Sequence, residues 1–192
     1  MIVNSEYRVT EIINRLKQRT ALRESLLVPH ILGELYVGQF TFEPPATKRE
    51  MRGFTNRFKI QLADEYVEFL KCCNGAILFD IGEGMRTEIY GLRMLTTFIS
   101  TISEYCPHFL PIASNPKANF FVDMTSQAGH VFWNDGSPNY VCLKMSFAEW
   151  LAHVVTASKS DNGSDFWNWS PRLQCRGIYD AVHSACMERK QY

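Results

Sequence analysis

Residues 61–81 read QLADEYVEFLKCCNGAILFDI. Leu62, Tyr66, Phe69, Leu70 and Cys73 recur at i, i+4, i+7, i+8 and i+11, which draws an apolar stripe down one side of a helix and leaves Asp64, Glu65, Glu68 and Lys71 on the other. Asp64 and Glu65 fall in the first turn and Lys71 in the last, in agreement with the helix dipole. Asn74 and Gly75 can adopt the left-handed conformation that closes a helix, and Ala76, Ile77, Leu78 and Phe79 then form an apolar run of strand length. The unit is helix, stop, buried strand. It carries no grouping of reactive side chains and reads as scaffold.

Upstream, Thr47 followed three residues later by Glu50 is a capping box that opens a helix with Met51, Phe54 and Phe58. Val9, Ile12, Ile13 and Leu16 mark a helix over residues 5–19, and Leu22, Leu26 and Leu27 extend it or begin another before Pro29. Residues 31–42 give a mixed pattern, irregular with a possible strand, ended by Pro44 and Pro45. Downstream, Gly82, Glu83 and Gly84 form a turn that lacks both the third glycine and the following helix of a phosphate-binding loop. Residues 87–92 read as a strand, and Leu92, Leu95, Phe98, Ile99 and Ile102 as a helix stopped by Pro107. Strands follow at 109–113, 119–123, 129–133 and 140–144. Ser146 and Glu149 make a second capping box, for a helix with Phe147, Trp150, Leu151, Val154 and Val155. Beyond it lie a polar stretch and a last helix opened by Ser170 and Pro171.

Closely spaced strands with short turns pair antiparallel, and helices stand before and after them. The plan is therefore α+β, a central, mostly antiparallel sheet of about five to six strands flanked by helices. One domain at 42–156 carries an N-terminal helical extension (1–41) and a polar loop with a C-terminal helix (157–192), both packed on it.

The chain has 192 residues with 46% hydrophobic content, enough for one ordinary core. No run approaches a membrane span and no basic-then-apolar leader opens the chain, so the expectation is a cytoplasmic protein that does not engage a membrane. Six scattered cysteines, with Cys72 and Cys73 adjacent, fit reduced thiols rather than a disulfide framework. No cysteine pair at two-residue spacing and no histidine pair at three to five supports a metal site, and none is expected; nor is a cofactor. Twenty basic residues balance twenty acids, which argues against direct nucleic-acid binding. The charges are unevenly spread: residues 1–60 hold ten Lys and Arg against six acids (+4), 61–135 four against nine (−5), and 136–192 six against five (+1). An acidic middle can steer and hold a basic partner.

Asp123, His130, Trp133 and Asp135 lie on or after neighbouring strands and would support a general base if they converged, but polar strand ends are more often structural. Ser126 is in no nucleophile elbow, the remaining histidines are isolated, and no catalytic residue is assigned. The partner-facing candidates are Asp80, Glu83, Glu88, Asp123, Trp133 and Asp135, with Trp167 and Trp169 as aromatic anchors in a polar loop.

The order of motifs resembles the SUKH superfamily, which unites fungal Smi/Knr cell-wall synthesis regulators with bacterial immunity proteins. The resemblance is carried by Pro44, Pro45 and Ala46; by residues 62–75, with Tyr66, Phe69, Leu70, Asn74 and Gly75; by Ile89, Tyr90 and Gly91; by 109–112, 119–123 and 129–133; and by Ser146, Phe147, Glu149, Trp150 and Leu151. Ala63 stands where the family usually has proline, and Ala76 where a second glycine is common. The resemblance implies an α+β domain without enzymatic activity that acts by binding another protein, in bacteria typically a toxin of nuclease or deaminase type. The expected function is that of an immunity protein neutralising a cognate toxin. A regulatory or scaffold protein is the alternative, and a hydrolase using the polar strand ends a more distant one.

Overall fold

A computed structural model describes residues 8–22, 26–29, 34–102, 108–124, 129–137 and 139–157. In chain order the elements are α1 (Val9–Ala21), β1 (Leu26–Pro29), β2 (Leu35–Phe42), α2 (Lys48–Phe58), α3 (Asp64–Cys72), β3 (Ala76–Asp80), β4 (Thr87–Ile89), α4 (Leu92–Ile102), β5 (Phe109–Asn115), β6 (Ala118–Asp123), β7 (Val131–Asn134), β8 (Val141–Cys142) and α5 (Phe147–Ala157). All eight strands join one sheet in the order β1 to β8, each antiparallel to its neighbour in sequence.

The α+β architecture stands as the sequence predicts, but the sheet has eight strands where five to six are expected. β1 is not expected from the sequence, and β2 falls where residues 31–42 suggest a possible strand. Helical spacing of Leu22, Leu26 and Leu27 suggests more helix before Pro29; instead α1 stops at Ala21, and Leu27 pairs with Val37 across a hairpin. A short apolar run fits either period, and here long-range pairing decides, because β2 continues into register with β3 through Gln39 and Asp80.

The register sorts the side chains into two faces. Phe42, Ala76, Ile89, Ala113, Phe120 and Trp133 form one cross-strand row, and Thr41, Ile77, Glu88, Ser114, Asn119 and Asn134 form the next, pointing the other way. The first face is covered by α1, α3 and α5, which contact one another and bury Val9, Ile13, Leu16, Tyr66, Phe69, Leu70, Phe147, Trp150 and Leu151. Trp150 meets Phe120 with ring centroids 5.0 Å apart and Phe147 at 5.6 Å, and Tyr66 stands edge-on to Phe147 at 5.1 Å.

Helix ends are satisfied largely by other elements. Lys17 of α1 donates to the Cys72 carbonyl (2.7 Å), placing a cation at the C-terminus of α3. Glu65 of α3 accepts from the Ala148 amide (2.8 Å) in the first turn of α5, where Ser146 and Glu149 add their own capping box. The capping box of α2 is also complete: the Thr47 hydroxyl accepts from the Glu50 amide (3.2 Å), and the Glu50 carboxylate accepts from the Thr47 amide (2.7 Å).

The Thr47 hydroxyl also donates to the Glu50 carboxylate (2.7 Å), and this bond, with the smaller contribution of the Thr47 amide, holds the Glu50 carboxyl below its ordinary value. A depressed folded-state pKa adds stability that is complete above the unfolded value of about 4.3 and is lost as the pH falls through the lower folded value. The expected result is that Glu50→Gln shows a shallower loss of stability in urea titrations below about pH 4.3 than the parent. Thr47→Ala should cost about 1 kcal/mol at neutral pH and flatten the same limb. An unchanged acid limb in both variants would show that the box contributes nothing to folding.

Candidate protein-binding surface

The Asn74–Gly75 stop is not the left-handed cap that its sequence suggests. The helix ends in extended backbone at Cys73 (φ −160°), and only Gly75 takes a positive φ, +119°. Asn74 works at longer range: its side-chain oxygen accepts from the Leu92 amide (2.9 Å) at the start of α4, and its own amide donates to the Pro44 carbonyl (3.0 Å). Gly91 lies against the Asn74 backbone so closely that a Cβ there would sit 1.8 Å from the Asn74 carbonyl oxygen. The buried Tyr66 hydroxyl donates to the Tyr90 carbonyl, and burial first, then Tyr90 and Cys73, drive that phenol well above its usual pKa. The Asn-Gly and Tyr-Gly motifs are thus two halves of one backbone junction, made to hold α3, β3, β4 and α4 together.

Cys73 lies at that junction. Burial pushes its thiol up to about 12, against a smaller opposing pull from Lys17, so it is un-ionised at neutral pH. Cys72 is half-buried, Cys142 is buried, and Cys106, Cys175 and Cys186 lie outside the described residues. Iodoacetamide at pH 8 is expected to leave Cys73 unmodified in the native protein and to alkylate it only in denaturant, as read by peptide mass spectrometry; rapid native labelling would contradict its burial.

The sequence candidates fall at different places on the frame. Asp80, Glu83 and Glu88 share the β3–β4 hairpin. Asp80 accepts from the Gly82 amide (2.9 Å), Glu83 is exposed at the tip with φ 51°, and Glu88 lies on the face turned away from α1, α3 and α5. Arg86 approaches Glu88 at 3.7 Å, a surface pair worth at most about 1 kcal/mol. Asp135 follows β7 at the same end of the sheet as the β3–β4 turn, and its carboxyl is lowered by hydrogen bonds from Ser137. Asp123 is at the opposite end, across from Phe109. The β6–β7 register puts about five residue steps, roughly 17 Å, between the Asp123 and Asp135 ends, so the two carboxylates and His130 do not converge on one point. Trp133 turns to the core face and packs there, half-buried. Trp167 and Trp169 lie outside the described residues.

Two features escape sequence reasoning. A groove of about 430 Å³ opens beside the junction, where Glu43, Glu50 and Glu88 surround Asn74 and Arg93. On the face away from α1, α3 and α5, Phe109, Phe121, Phe132 and Tyr140 form an aromatic cluster, with Phe109 and Tyr140 stacked at 5.0 Å and Phe109 and Phe132 at 4.7 Å. A signal for it exists: Phe120 and Phe121 are adjacent, so β6 must be apolar on both faces. Among the described residues no group of three or more His, Cys, Asp or Glu is placed to hold a metal ion, and no helix is long and apolar enough to cross a membrane.

The one-sheet α+β frame thus carries α1, α3 and α5 on one face and directs Glu88 of the β3–β4 hairpin to the other. The model of the SMI1 / KNR4 family (SUKH-1) matches residues 45–153, from just after β2 into α5. The chain belongs to that family, whose members are associated with protein–protein interactions and are generally non-catalytic. Among curated proteins none matches the chain.

Proposed function

We propose that this SUKH domain is a non-enzymatic immunity protein that acts in the cytoplasm and neutralises a cognate bacterial toxin by covering its active site or substrate groove. The observation that carries the reading is the placement of Asp80, Glu83 and Glu88 on one hairpin of a family scaffold, with Asp135 at the same end of the sheet. Toxins of nuclease or deaminase type draw nucleic acid into basic grooves, and an acidic surface competes for the same charges. Trp167 and Trp169 are the aromatic anchors of this reading.

Co-expression with the toxin encoded immediately upstream should restore growth and yield a complex stable to gel filtration. The double variant Glu83→Lys/Glu88→Lys is expected to slow association by about tenfold or more at low salt, with the difference shrinking as salt rises. A complex that forms at the parental rate would remove the acidic hairpin from the interface. Failure with the product of every neighbouring gene would remove the immunity role and favour a regulatory or scaffold protein.

A further inference from the structure

On one face, α2 departs from three local rules of helix formation. Lys48 and Arg49 occupy its first turn, where the helix dipole disfavours a cation. Arg52 follows Lys48 at i+4 and Arg49 at i+3, so like charges stand on neighbouring turns. Gly53 is in the helix interior, where glycine loses more backbone freedom than any other residue, and nothing in the fold requires it there: its φ is not positive, and an added Cβ would meet nothing within 4 Å. All four residues are exposed. The other side of the helix is well made, with Met51 and Phe54 buried and the Phe54 and Phe58 ring centroids 5.0 Å apart.

With about 3.6 residues per turn, Lys48, Arg52, Asn56, Arg49 and Gly53 fill an arc of about 140° that holds no acid. Glu50 lies beyond this arc, toward the groove that it lines with Glu43 and Glu88, and no cation of α2 lines that groove. Among the described residues none of Lys48, Arg49 and Arg52 forms an ion pair. A face that is locally unfavourable at several positions, and uncompensated within the fold, is where a sequence serves something other than folding.

We propose that this face of α2 is a docking surface for an acidic segment of a partner protein, whose main chain comes down on Gly53 while Lys48, Arg49 and Arg52 hold its carboxylates. The cations select an anionic occupant, and the guanidinium groups of Arg49 and Arg52 suit carboxylates, which they can bind through two parallel N–H donors. The glycine selects a protein over a nucleic acid. Long side chains reach phosphates without any approach to the helix backbone, whereas a packed polypeptide must come close, and a position without a side chain admits it. A duplex would also carry its charge unbroken, one per about 1.7 Å, toward Glu43 and Glu50 at the same end of the helix. The surface would serve an immunity protein and a regulatory protein alike, so it stands whether or not the toxin reading holds.

Fluorescence anisotropy of a labelled peptide of repeating Glu-Glu-Ala-Ala, titrated at low salt with the full-length chain, tests this. The parent is expected to bind the peptide, with an affinity that falls as salt rises. Arg52→Glu should weaken binding about tenfold or more, and Lys117→Glu, the same charge change on the exposed β5–β6 turn, should leave it unchanged. Gly53→Gln removes no charge and improves the helix, so it should melt above the parent and yet bind the peptide about tenfold or more weakly. A role confined to folding predicts the higher stability with parental binding. A parent that leaves the peptide free overturns the proposal, and so does a DNA duplex of equal charge that binds more tightly than the peptide. Equal losses in Arg52→Glu and Lys117→Glu would reduce the binding to non-specific attraction and overturn it. Parental binding by Gly53→Gln removes the seat on the helix backbone and overturns it as well.

Discussion

Gly91→Ala is expected to abolish the folded state. The added Cβ would meet the Asn74 carbonyl oxygen at 1.8 Å and its carbon at 2.5 Å, far inside any tolerated contact. The obstacle is backbone, so no rotamer change relieves it. Asn74 cannot back away without losing its amide bond to Pro44 and its side-chain bond to the Leu92 amide. Ordinary overpacking costs about 1–3 kcal/mol because side chains give way; here the cost approaches the whole stability of a domain, about 5–15 kcal/mol. The variant should accumulate in the insoluble fraction and lack a cooperative thermal transition. Gly53, inside α2, is the internal control, because a methyl group added there would meet nothing within 4 Å. Gly53→Ala should raise stability by roughly 0.5–1 kcal/mol. A Gly91→Ala protein that is soluble and melts with the parent would show that the junction tolerates separation.

Trp150→Ala carries the second largest expected effect. Trp150 is fully buried, with Phe120 of β6 on one side and Phe147 on another, at the point where α5 is fastened to the sheet. Truncation to alanine should cost about 3–5 kcal/mol through lost burial and a cavity that the surrounding aromatic rings cannot fill. For a chain of this size that corresponds to a fall in melting temperature of roughly 6–20 °C. Trp150→Phe, which keeps a ring in the same space, should lose much less. Trp150 is on the core face and Glu88 on the other, so at a temperature where Trp150→Ala is still folded the partner is expected to associate at the parental rate. An equal loss of binding would mean that the two faces are coupled.

What can be read from the sequence is what local chemistry determines. The stripe from Leu62 to Cys73 and the two capping boxes involve residues within one or two turns of each other, and they form as the spacing demands. The role of Asn74 is hidden because its partner amide is eighteen residues away, and a terminating Asn-Gly pair looks the same whether it caps its own helix or the next one. The hairpin from Leu26 to Phe42 is only half legible, with a possible strand read at residues 31–42 and none at β1, for a related reason. Consecutive apolar residues in LLV and LYV satisfy a helical and an extended pattern equally, and only pairing with β3 selects one. The candidate surface is legible where acids share a hairpin, as Asp80, Glu83 and Glu88 do. It is not legible where strand register matters: Asp123 is separated from Asp135 by the length of a strand, and Trp133 is turned inward.

Among the described residues the sheet runs through its eight strands in sequence order, with none of them inserted between two others. An outermost strand can then be lengthened, replaced or removed while every inner pairing keeps both its neighbours. The family match covers residues 45–153, so the β1–β2 hairpin lies outside the matched span, at the rim of the sheet. A plan of this kind lets lineages acquire new contacts by growing at the margin, without renegotiating the Asn74–Gly91 clasp at its centre.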